Sequence, residues 1–438
     1  MRRVAALLIC LALPALLAAQ PPPPSPAPLA FTHVTLIDGT GAKPRLNQTV
    51  VVTGERITAL GRTGKLKLPA GARMMDGTGK FLIPGLWDMH VHVGSRSDLP
   101  LFIANGVTGI RAMDGDPEYH LWRQEVEAGA LVGPRMVIAS GVFDGPQTYF
   151  SDHIKVGSPD VAREAVRKAR RDGAEFIKVH DLLPRDAYFA TIDEAQKLGL
   201  PVAGHVPAAM TPEEVSEAGQ ASIEHLTRMD DLSLDGEGRS RAAMLFARFK
   251  KNHTWQCPTL VMTRNYTLLA NPSLAADPHL RYVRLRRKEG WRRMNDGSLS
   301  VRDWMARKQT YRKRLAMVGA MQRAGVGILA GTDLANPYLI PGFSLHDELA
   351  ILVHAGLKPM EALQAAALNP ARFLGREREL GTVQQGRLAD LLLLNADPLA
   401  DIRSTAKIHA VVAAGRLYDR AALDRLLAEA ETAAASGG

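Results

Sequence analysis

The sequence is poor in cysteine, with only Cys10 and Cys257 among 438 residues. Cys10 lies in the N-terminal stretch MRRVAALLICLALPALLAAQ, which has two arginines, an apolar run and small residues at its end. This pattern predicts a secretory signal peptide over residues 1–19, because the apolar run is short for a membrane span. A retained anchor is the alternative. Without the leader, Cys257 has no partner for an intramolecular disulfide, and we expect a periplasmic or secreted protein without stable membrane insertion.

The sequence also lacks a glycine-rich dinucleotide fingerprint at the start of a helix and any recognisable nucleic-acid-binding module. We therefore expect no nucleic-acid partner. The formal net charge is +9, and much of it lies in segment 281–314, which is dense in arginine and lysine. This segment either has solvated helical faces or forms a lid that attracts anionic substrates.

Short β-like runs occur at both ends of the chain, separated by Asp-Gly and Thr-Gly turns. They cover residues 31–39, 49–61, 72–85, 388–398 and 408–419. We predict that they form one small β-sandwich from residues 31–82 and 379–425. A proline-rich spacer (20–30) is expected before it and a flexible tail (426–438) after it.

Apolar runs alternate with helix-patterned segments between the two flanks. The first run ends at residue 92, and the others cover 107–113, 135–141, 175–181, 201–206, 222–227, 254–261 and 326–333. Eight strands with intervening helices predict an α/β fold, a (β/α)8 TIM barrel over residues 83–378. A doubly wound open sheet is the alternative, disfavoured by the missing dinucleotide fingerprint.

His90 and His92 close the first run in the stretch FLIPGLWDMHVHVG. Residues i and i+2 of a strand point to the same side, so both imidazoles face one way with Cα atoms about 7 Å apart. That spacing lets both rings reach one metal ion at about 2 Å. Hydrogen-bonded core histidines are the alternative interpretation of this stretch alone.

Four more polar side chains lie near the carboxyl ends of other predicted strands, where barrels collect their catalytic groups. They are Lys178 in FIKVHD, His205 in PVAGHVP, His225 in SIEHLT and Asp333 in GILAGTDLA. Each alone has an ordinary structural explanation, such as a core histidine or a helix cap. All six together are hard to explain as core packing and predict a functional site.

This pattern resembles the binuclear subtype of the amidohydrolase superfamily of metal-dependent hydrolases, across essentially the whole mature chain. Residues 344–375 and 380–399, which include LHDELAILVHAGLKPMEAL and GTVQQGRLADLLLLNADPL, are similar to one subgroup. That subgroup contains imidazolonepropionases, Xaa-Pro dipeptidases and ochratoxin-type amidases.

The resemblance implies two divalent metal ions, expected to be zinc. His90, His92 and Asp333 would hold one ion, and His205 and His225 the other. Lys178 would bridge the two as a carbamate formed with carbon dioxide, which requires a neutral amine of the kind that an apolar strand favours. A bridging hydroxide would then attack a carbonyl carbon, while Asp333 takes its proton and passes it to the leaving amine.

Three further residues are candidates for substrate contacts. His180 shares the strand parity of Lys178, His253 precedes the seventh predicted strand, and Tyr149 lies in the loop after the third. Packing or surface roles are the alternatives for all three.

We therefore expect an exported binuclear zinc hydrolase that cleaves an amide or peptide bond in a small carboxylate-bearing molecule. A dipeptide or an N-acyl amino acid, including ochratoxin-like amides, would fit. Hydrolysis of a cyclic amide, lactone or ester is the enzymatic alternative, because pocket shape rather than the ligand set selects the carbonyl. A metal-free binding or scaffold protein is the alternative of another class. We expect the partner to be a small-molecule substrate and the protein to be a homo-oligomer.

Overall fold

The computed structural model describes residues 27–236, 238–294 and 300–436. The predicted signal peptide (1–19) and most of the predicted spacer (20–30) therefore lie outside the described residues. Among the residues that are described, no helix combines the length and the apolar character that a membrane crossing requires.

Seventeen strands occur in the described residues. They are β1 (Leu29–Leu36), β2 (Arg45–Thr53), β3 (Arg56–Arg62), β4 (Arg73–Asp76), β5 (Phe81–Pro84), β6 (Leu86–Val91), β7 (Val107–Ala112), β8 (Arg135–Ile138), β9 (Phe143–Asp144), β10 (Ile154–Lys155), β11 (Ile177–Val179), β12 (Val202–Gly204), β13 (Ser222–Glu224), β14 (Trp255–Cys257), β15 (Leu391–Leu394), β16 (Ile408–Ala413) and β17 (Arg416–Tyr418).

Fourteen α-helices connect or follow these strands within the same described ranges. They are α1 (Leu99–Ala104), α2 (Pro117–Ala128), α3 (Pro159–Arg171), α4 (Arg185–Lys197), α5 (Pro212–Glu217), α6 (Gly238–Lys251), α7 (Leu260–Thr267), α8 (Pro272–Ala275), α9 (Leu285–Arg293), α10 (Val301–Ala324), α11 (Phe343–His354), α12 (Pro359–Ala365), α13 (Leu368–Phe373) and α14 (Arg420–Ser436). Short 3-10 turns occur at Arg96–Asp98, Pro278–Tyr282 and Ile402–Ala406.

Strands from both ends of the chain form one eight-stranded sheet. Its order is β17-β16-β15-β5-β1-β2-β3, with β4 paired to β1. The alternating side chains of β15 divide between two cores: Leu391 and Leu393 pack inside the sheet's own cluster, whereas Leu392 and Leu394 belong to the main core. The sheet is mixed rather than antiparallel throughout, because β1 runs parallel to both β4 and β5.

The strands of the middle region are parallel and follow the predicted order. β6, β7 and β8 form one sheet, and β10-β9-β11-β12-β13-β14 form another. An isolated bridge between Ala139 and Phe176 joins the two sheets. The eighth predicted strand, residues 326–333, is present as bridges at its ends, from Gln256 to Ile328 and from Val91 to Leu334.

Close packing explains a glycine in this eighth segment. A Cβ atom at Gly331 would lie 2.5 Å from the Cys257 sulfur and 2.9 Å from the backbone nitrogen of His90. Only glycine lets the segment lie this close to β6 and β14. That approach brings the residues that follow Gly331 next to the two histidines of β6.

The prediction of a flexible tail over residues 426–438 is wrong for the part of it that the structure describes. Helix α14 continues to Ser436 and buries Leu426, Ala430 and Ala434. These positions recur at helical spacing and form one apolar face. The helix packs against α1, so the last turns are part of the folded domain.

Candidate active site

Side chains at the ends of two strands, β6 and β13, converge on Asp333. Its Oδ1 atom lies 3.4 Å from Nε2 of His90 and 3.6 Å from Nε2 of His92, and its Oδ2 atom lies 3.7 Å from Nδ1 of His225. One ligand atom each from His90, His225 and Asp333 fits within 4.8 Å of the others. The predicted convergence of the first and last barrel segments is therefore present in the structure.

Lys178 and His205 lie beside this group. The imidazole rings of His205 and His225 are 4.9 Å apart, and those of His90 and His225 are 4.5 Å apart. Lys178 is 2% exposed, and burial lowers the pKa of its amine. Burial lowers the pKa of both His90 and His205, and the positive charge of Lys178 lowers both further.

Each of the four histidines has a partner near its Nδ1 atom. Glu224 Oε2 lies 2.7 Å from His90, Asp114 Oδ2 3.4 Å from His92, Asp181 Oδ1 3.1 Å from His205, and Thr259 Oγ1 2.7 Å from His225. A carboxylate only accepts hydrogen bonds, so a histidine bonded to it donates from Nδ1 and keeps a lone pair on Nε2. Such partners fix the tautomer in which a histidine can bind a metal.

A buried ion pair lies beneath His90 and was not predicted. Arg111 donates to Glu224 Oε1 at 2.8 Å, and both side chains are fully buried. Burial opposes ionisation of Glu224, but the charges of Arg111 and Lys178 outweigh it and hold its pKa below the ordinary value. Glu224 therefore stays an acceptor for His90. Its position directly before His225 in SIEHLT was the only sequence signal for this role.

The backbone is strained where the site residues lie. Asp333, His225 and Thr259 have φ angles of 61°, 60° and 46°, in the left-handed region that residues with a side chain seldom adopt. A hydrogen bond from the Asp333 nitrogen to the His90 carbonyl at 2.8 Å holds the first of these turns. Such strain persists where the surrounding structure imposes it, most often at functional sites.

Burial keeps most of these histidines neutral. It lowers the pKa of His205 to about 4 and holds the pKa values of His90 and His225 well below their ordinary value. His92 is different: burial also opposes its charge, but Asp114 outweighs burial and raises its pKa. Neutral imidazoles have the free lone pair that a metal ligand needs.

The donor set fits a divalent metal ion. Nε2 of His90 is buried and has no hydrogen-bond partner among the described residues, which is costly for a polar atom unless a ligand is bound there. Imidazole nitrogens combined with a carboxylate are typical ligands of zinc and related ions. His90, His92, His205, His225 and Asp333 would hold such ions, with Lys178 next to them.

His180 lies where the sequence predicted, with its ring 4.1 Å from that of His205. Asp144 binds it through Oδ2, 3.0 Å from His180 Nδ1 and 3.1 Å from His153 Nδ1. Burial opposes ionisation of Asp144, but the hydrogen bonds from the two histidines outweigh it and lower its pKa. His153 was missed because it lies in an irregular loop, and Asp144 because it ends β9, a strand of two residues that is too short to show periodicity.

The other two substrate candidates are not part of this site. His253 lies at the amino end of β14 and lines a cavity with Gly325 and Val326. The site lies at the opposite end of β14, where the carbonyl of Cys257 accepts a hydrogen bond from the backbone nitrogen of His225. The prediction for His253 is therefore wrong. Tyr149 is 91% exposed, so it does not pack among the buried side chains of the site.

Arginines surround the rim of the site. Arg228 follows His225 by three residues, has a φ of 61°, and lies 3.7 Å from Asp181, the partner of His205. Arg284 and Arg287 of the basic segment contact the loop after His92, through Ser95 at 2.6 Å and Asp98 at 3.6 Å. The start of the basic segment therefore contacts the loop after His92, and Arg228 is a nearby cation that the sequence prediction omitted.

Comparisons with known proteins agree with this geometry. An Aspergillus niger protein named ochratoxinase is 24% identical over 434 aligned residues, covering 84% of this chain and 81% of that protein. A solved bottromycin amidohydrolase has a TM-score of 0.77 at 26% identity, covering 94% of this chain and 91% of its own. A solved Xaa-Pro dipeptidase with methionine in its active site has a TM-score of 0.71 at 20% identity, covering 90% and 100%, and supports the fold alone.

The family model for the amidohydrolase family matches residues 81–418, which include all six predicted metal-site residues. The TIM-barrel fold of that family agrees with the parallel strands β6 to β14. The predicted resemblance is confirmed. The chain belongs to the amidohydrolase family and is a hydrolase acting on amide bonds.

Proposed function

We propose that the chain is an exported, binuclear zinc amidohydrolase that cleaves an amide or peptide bond in a small carboxylate-bearing substrate. A dipeptide or an N-acyl amino acid, including ochratoxin-like amides, fits this description. The convergence of His90, His225 and Asp333, with Nε2 of His90 buried and unpartnered in the described structure, is the observation that carries the proposal. The names of the similar ochratoxinase and bottromycin amidohydrolase support an amide substrate.

In this proposal His90, His92 and Asp333 would hold one ion, and His205 and His225 the other. Lys178 would be a further ligand as a carbamate: its nitrogen forms a bond to the carbon of carbon dioxide and releases one proton. Burial of Lys178 at 2% exposure supports this modification, because a carbamate forms from the neutral amine. The resulting carboxylate is a suitable ligand between imidazoles.

The metal ions, when bound, would supply an activated water and polarise the substrate carbonyl. Asp333 then takes a proton from that water and transfers it to the leaving amine. Its carboxylate is placed for this role because it lies between His90 and His92 at 3.4 and 3.6 Å. Asp114, Asp181 and Glu224 keep the histidines oriented throughout.

The finer architecture also belongs to the proposal. We infer that the parallel strands close into a complete (β/α)8 barrel, supported by the bridges at Ile328 and Leu334. We further infer that the eight-stranded sheet folds over as a β-sandwich. The bridge from Arg56 to Leu388 supports this, because it brings the β3 end of the sheet to the segment before β15.

Arg228 is proposed as the group that binds the substrate carboxylate. It is 43% exposed in its side chain, and its distance of 3.7 Å to Asp181 is too long for a hydrogen bond. Its guanidinium is therefore partly exposed, in a strained turn three residues after His225. A bidentate contact with a carboxylate is the interaction that a guanidinium makes best.

A substrate screen tests the function. Zinc-loaded protein should hydrolyse N-acyl amino acids or dipeptides, including Xaa-Pro dipeptides. It should hydrolyse these free acids faster than the same compounds with their carboxylate converted to a methyl ester. We expect Arg228→Met to raise KM for the free acids about 10- to 100-fold, from loss of a charged hydrogen-bonded pair, with a smaller effect on kcat.

Arg163→Met, at a half-exposed position on α3, is the matched control and should leave KM unchanged. Equal loss of activity by Arg228→Met on acids and methyl esters would contradict the role of Arg228. Hydrolysis of lactones or cyclic amides alone would contradict the proposed substrate class.

A further inference from the structure

Segment 281–314, here called the basic insertion, has a formal net positive charge about as large as that of the whole chain. It contains 13 arginine and lysine residues and three aspartate and glutamate residues, while the formal net charge of the protein is +9. Of these cations, Arg284 and Arg287 contact the loop after His92. Among the described residues, the ion pairs of the insertion involve Arg281, Arg287 and Arg314.

The first turns of α10 are exposed to solvent. Residues 301–306 are all exposed, although three of them are large and apolar. Val301, Trp304 and Met305 are 75%, 36% and 60% exposed. Positions i, i+3 and i+4 of a helix share one face, so the three side chains form a single apolar strip.

Apolar exposure is concentrated in the insertion. Of 14 large hydrophobic side chains that are exposed in the described residues, five lie between 285 and 305; the other two of these five are Leu285 and Met294. Such a concentration in one short segment marks an interaction surface rather than the scattered exposure of an ordinary protein surface.

Basic side chains border the apolar strip. Lys308 lies on the same face, with its amine 4.8 Å from the centre of the Trp304 ring. Arg302 is one position from Val301, and Arg312 lies one turn beyond Lys308. An exposed apolar strip with tryptophan, flanked by arginine and lysine, is the composition of helices that lie in the headgroup region of a bilayer.

The charge disfavours a second copy of this chain as the occupant. A twofold interface places the same patch of both subunits face to face, which would bring two such concentrations of positive charge together. An anionic lipid surface offers the opposite charge and an apolar layer for Trp304 and Met305. Charge complementarity therefore favours the lipid surface.

We propose that the first half of α10, residues 301–312, is a docking surface for a bilayer that contains anionic lipids. The first turns of α10 lie along the headgroups, with Val301, Trp304 and Met305 on the lipid side and the adjacent cations at the phosphates. Arg284, which donates to Ser95 at 2.6 Å, connects the insertion to the loop after His92.

Sedimentation with lipid vesicles tests this proposal on the purified protein. We expect binding to vesicles of phosphatidylcholine with 30% phosphatidylglycerol, at least about tenfold tighter than to phosphatidylcholine alone, and weakening as salt rises. Each basic residue near an anionic surface contributes about fivefold to binding, so Arg302→Glu with Lys308→Glu should lower it at least about 25-fold. Trp304→Ser with Met305→Ser should lower it as well.

The matched control is Arg163→Glu with Arg170→Glu on the basic exposed helix α3, which should retain most of the binding. Circular dichroism melts should be unchanged in all variants, because Arg302, Trp304 and Met305 are exposed and Lys308 is only partly buried. Equal binding to neutral and anionic vesicles would overturn the proposal. So would a variant of α10 that binds vesicles normally, or one whose main effect is to change the oligomeric state.

Discussion

Asp333→Asn is expected to lower kcat at least about 1,000-fold, because it removes both a metal ligand and the group that transfers the proton. The amide keeps the size of the carboxylate but neither its charge nor its basicity. The backbone hydrogen bond from residue 333 to the His90 carbonyl at 2.8 Å does not involve the side chain, so the strained turn should be retained. Steady-state hydrolysis by the zinc-loaded variant measures the effect.

Asp193→Asn is the matched control for this substitution. Asp193 lies on α4, half exposed in an ion pair with Lys197, and exposed pairs of this kind contribute little to stability. Its kcat should equal that of the wild type. An Asp333→Asn enzyme with kcat near wild type would refute the role assigned to Asp333.

Lys178→Ala is expected to abolish hydrolysis and to lower the zinc content of the purified protein. The substitution removes the side chain proposed to join the two ions, and it leaves a cavity at a position that is 2% exposed. A small carboxylate such as acetate or propionate can occupy that space and replace the bridging oxygens. We therefore expect added acetate or propionate, together with zinc, to restore part of the activity.

The exposed Lys155 on β10 provides the control, since Lys155→Ala should change neither zinc content nor rate. Rescue separates a bridging carbamate from a packing role, because a small acid would not repair a lost core contact. If Lys178→Ala keeps full zinc content and hydrolyses substrate normally, the bridging role is wrong. Absence of rescue in a variant whose circular dichroism matches the wild type would also count against the carbamate.

The part of the site that lies on regular strands could be predicted from sequence. The spacing of His90 and His92 fixes which way both side chains face, and the carboxyl ends of parallel strands meet at one end of a barrel. Lys178, His205 and His225 follow the same rule, each in or just after a short apolar run. Periodicity and strand direction therefore sufficed to predict that these side chains meet at one end of the barrel, whereas their roles as metal ligands came from the family resemblance.

The remaining contacts join residues that are far apart in the sequence, so no local sequence pattern predicts them. Arg111 meets Glu224 across 113 residues, and Asp144 meets His180 across 36. His253 was misplaced for a different reason: it precedes β14, so strand direction puts it at the amino end, away from the site. In α14, the spacing of Leu426, Ala430 and Ala434 did indicate a packed helix, but the alanine-rich composition obscured it.

The central claim is that six side chains from five segments of the chain hold two metal ions. Zinc content is its most direct measurement: protein incubated with zinc and bicarbonate, then freed of excess metal, is analysed by atomic emission. The account predicts close to two ions per chain. Well under one ion per chain, with no hydrolysis of any amide tested, would contradict it and favour a metal-free binding protein on the same fold.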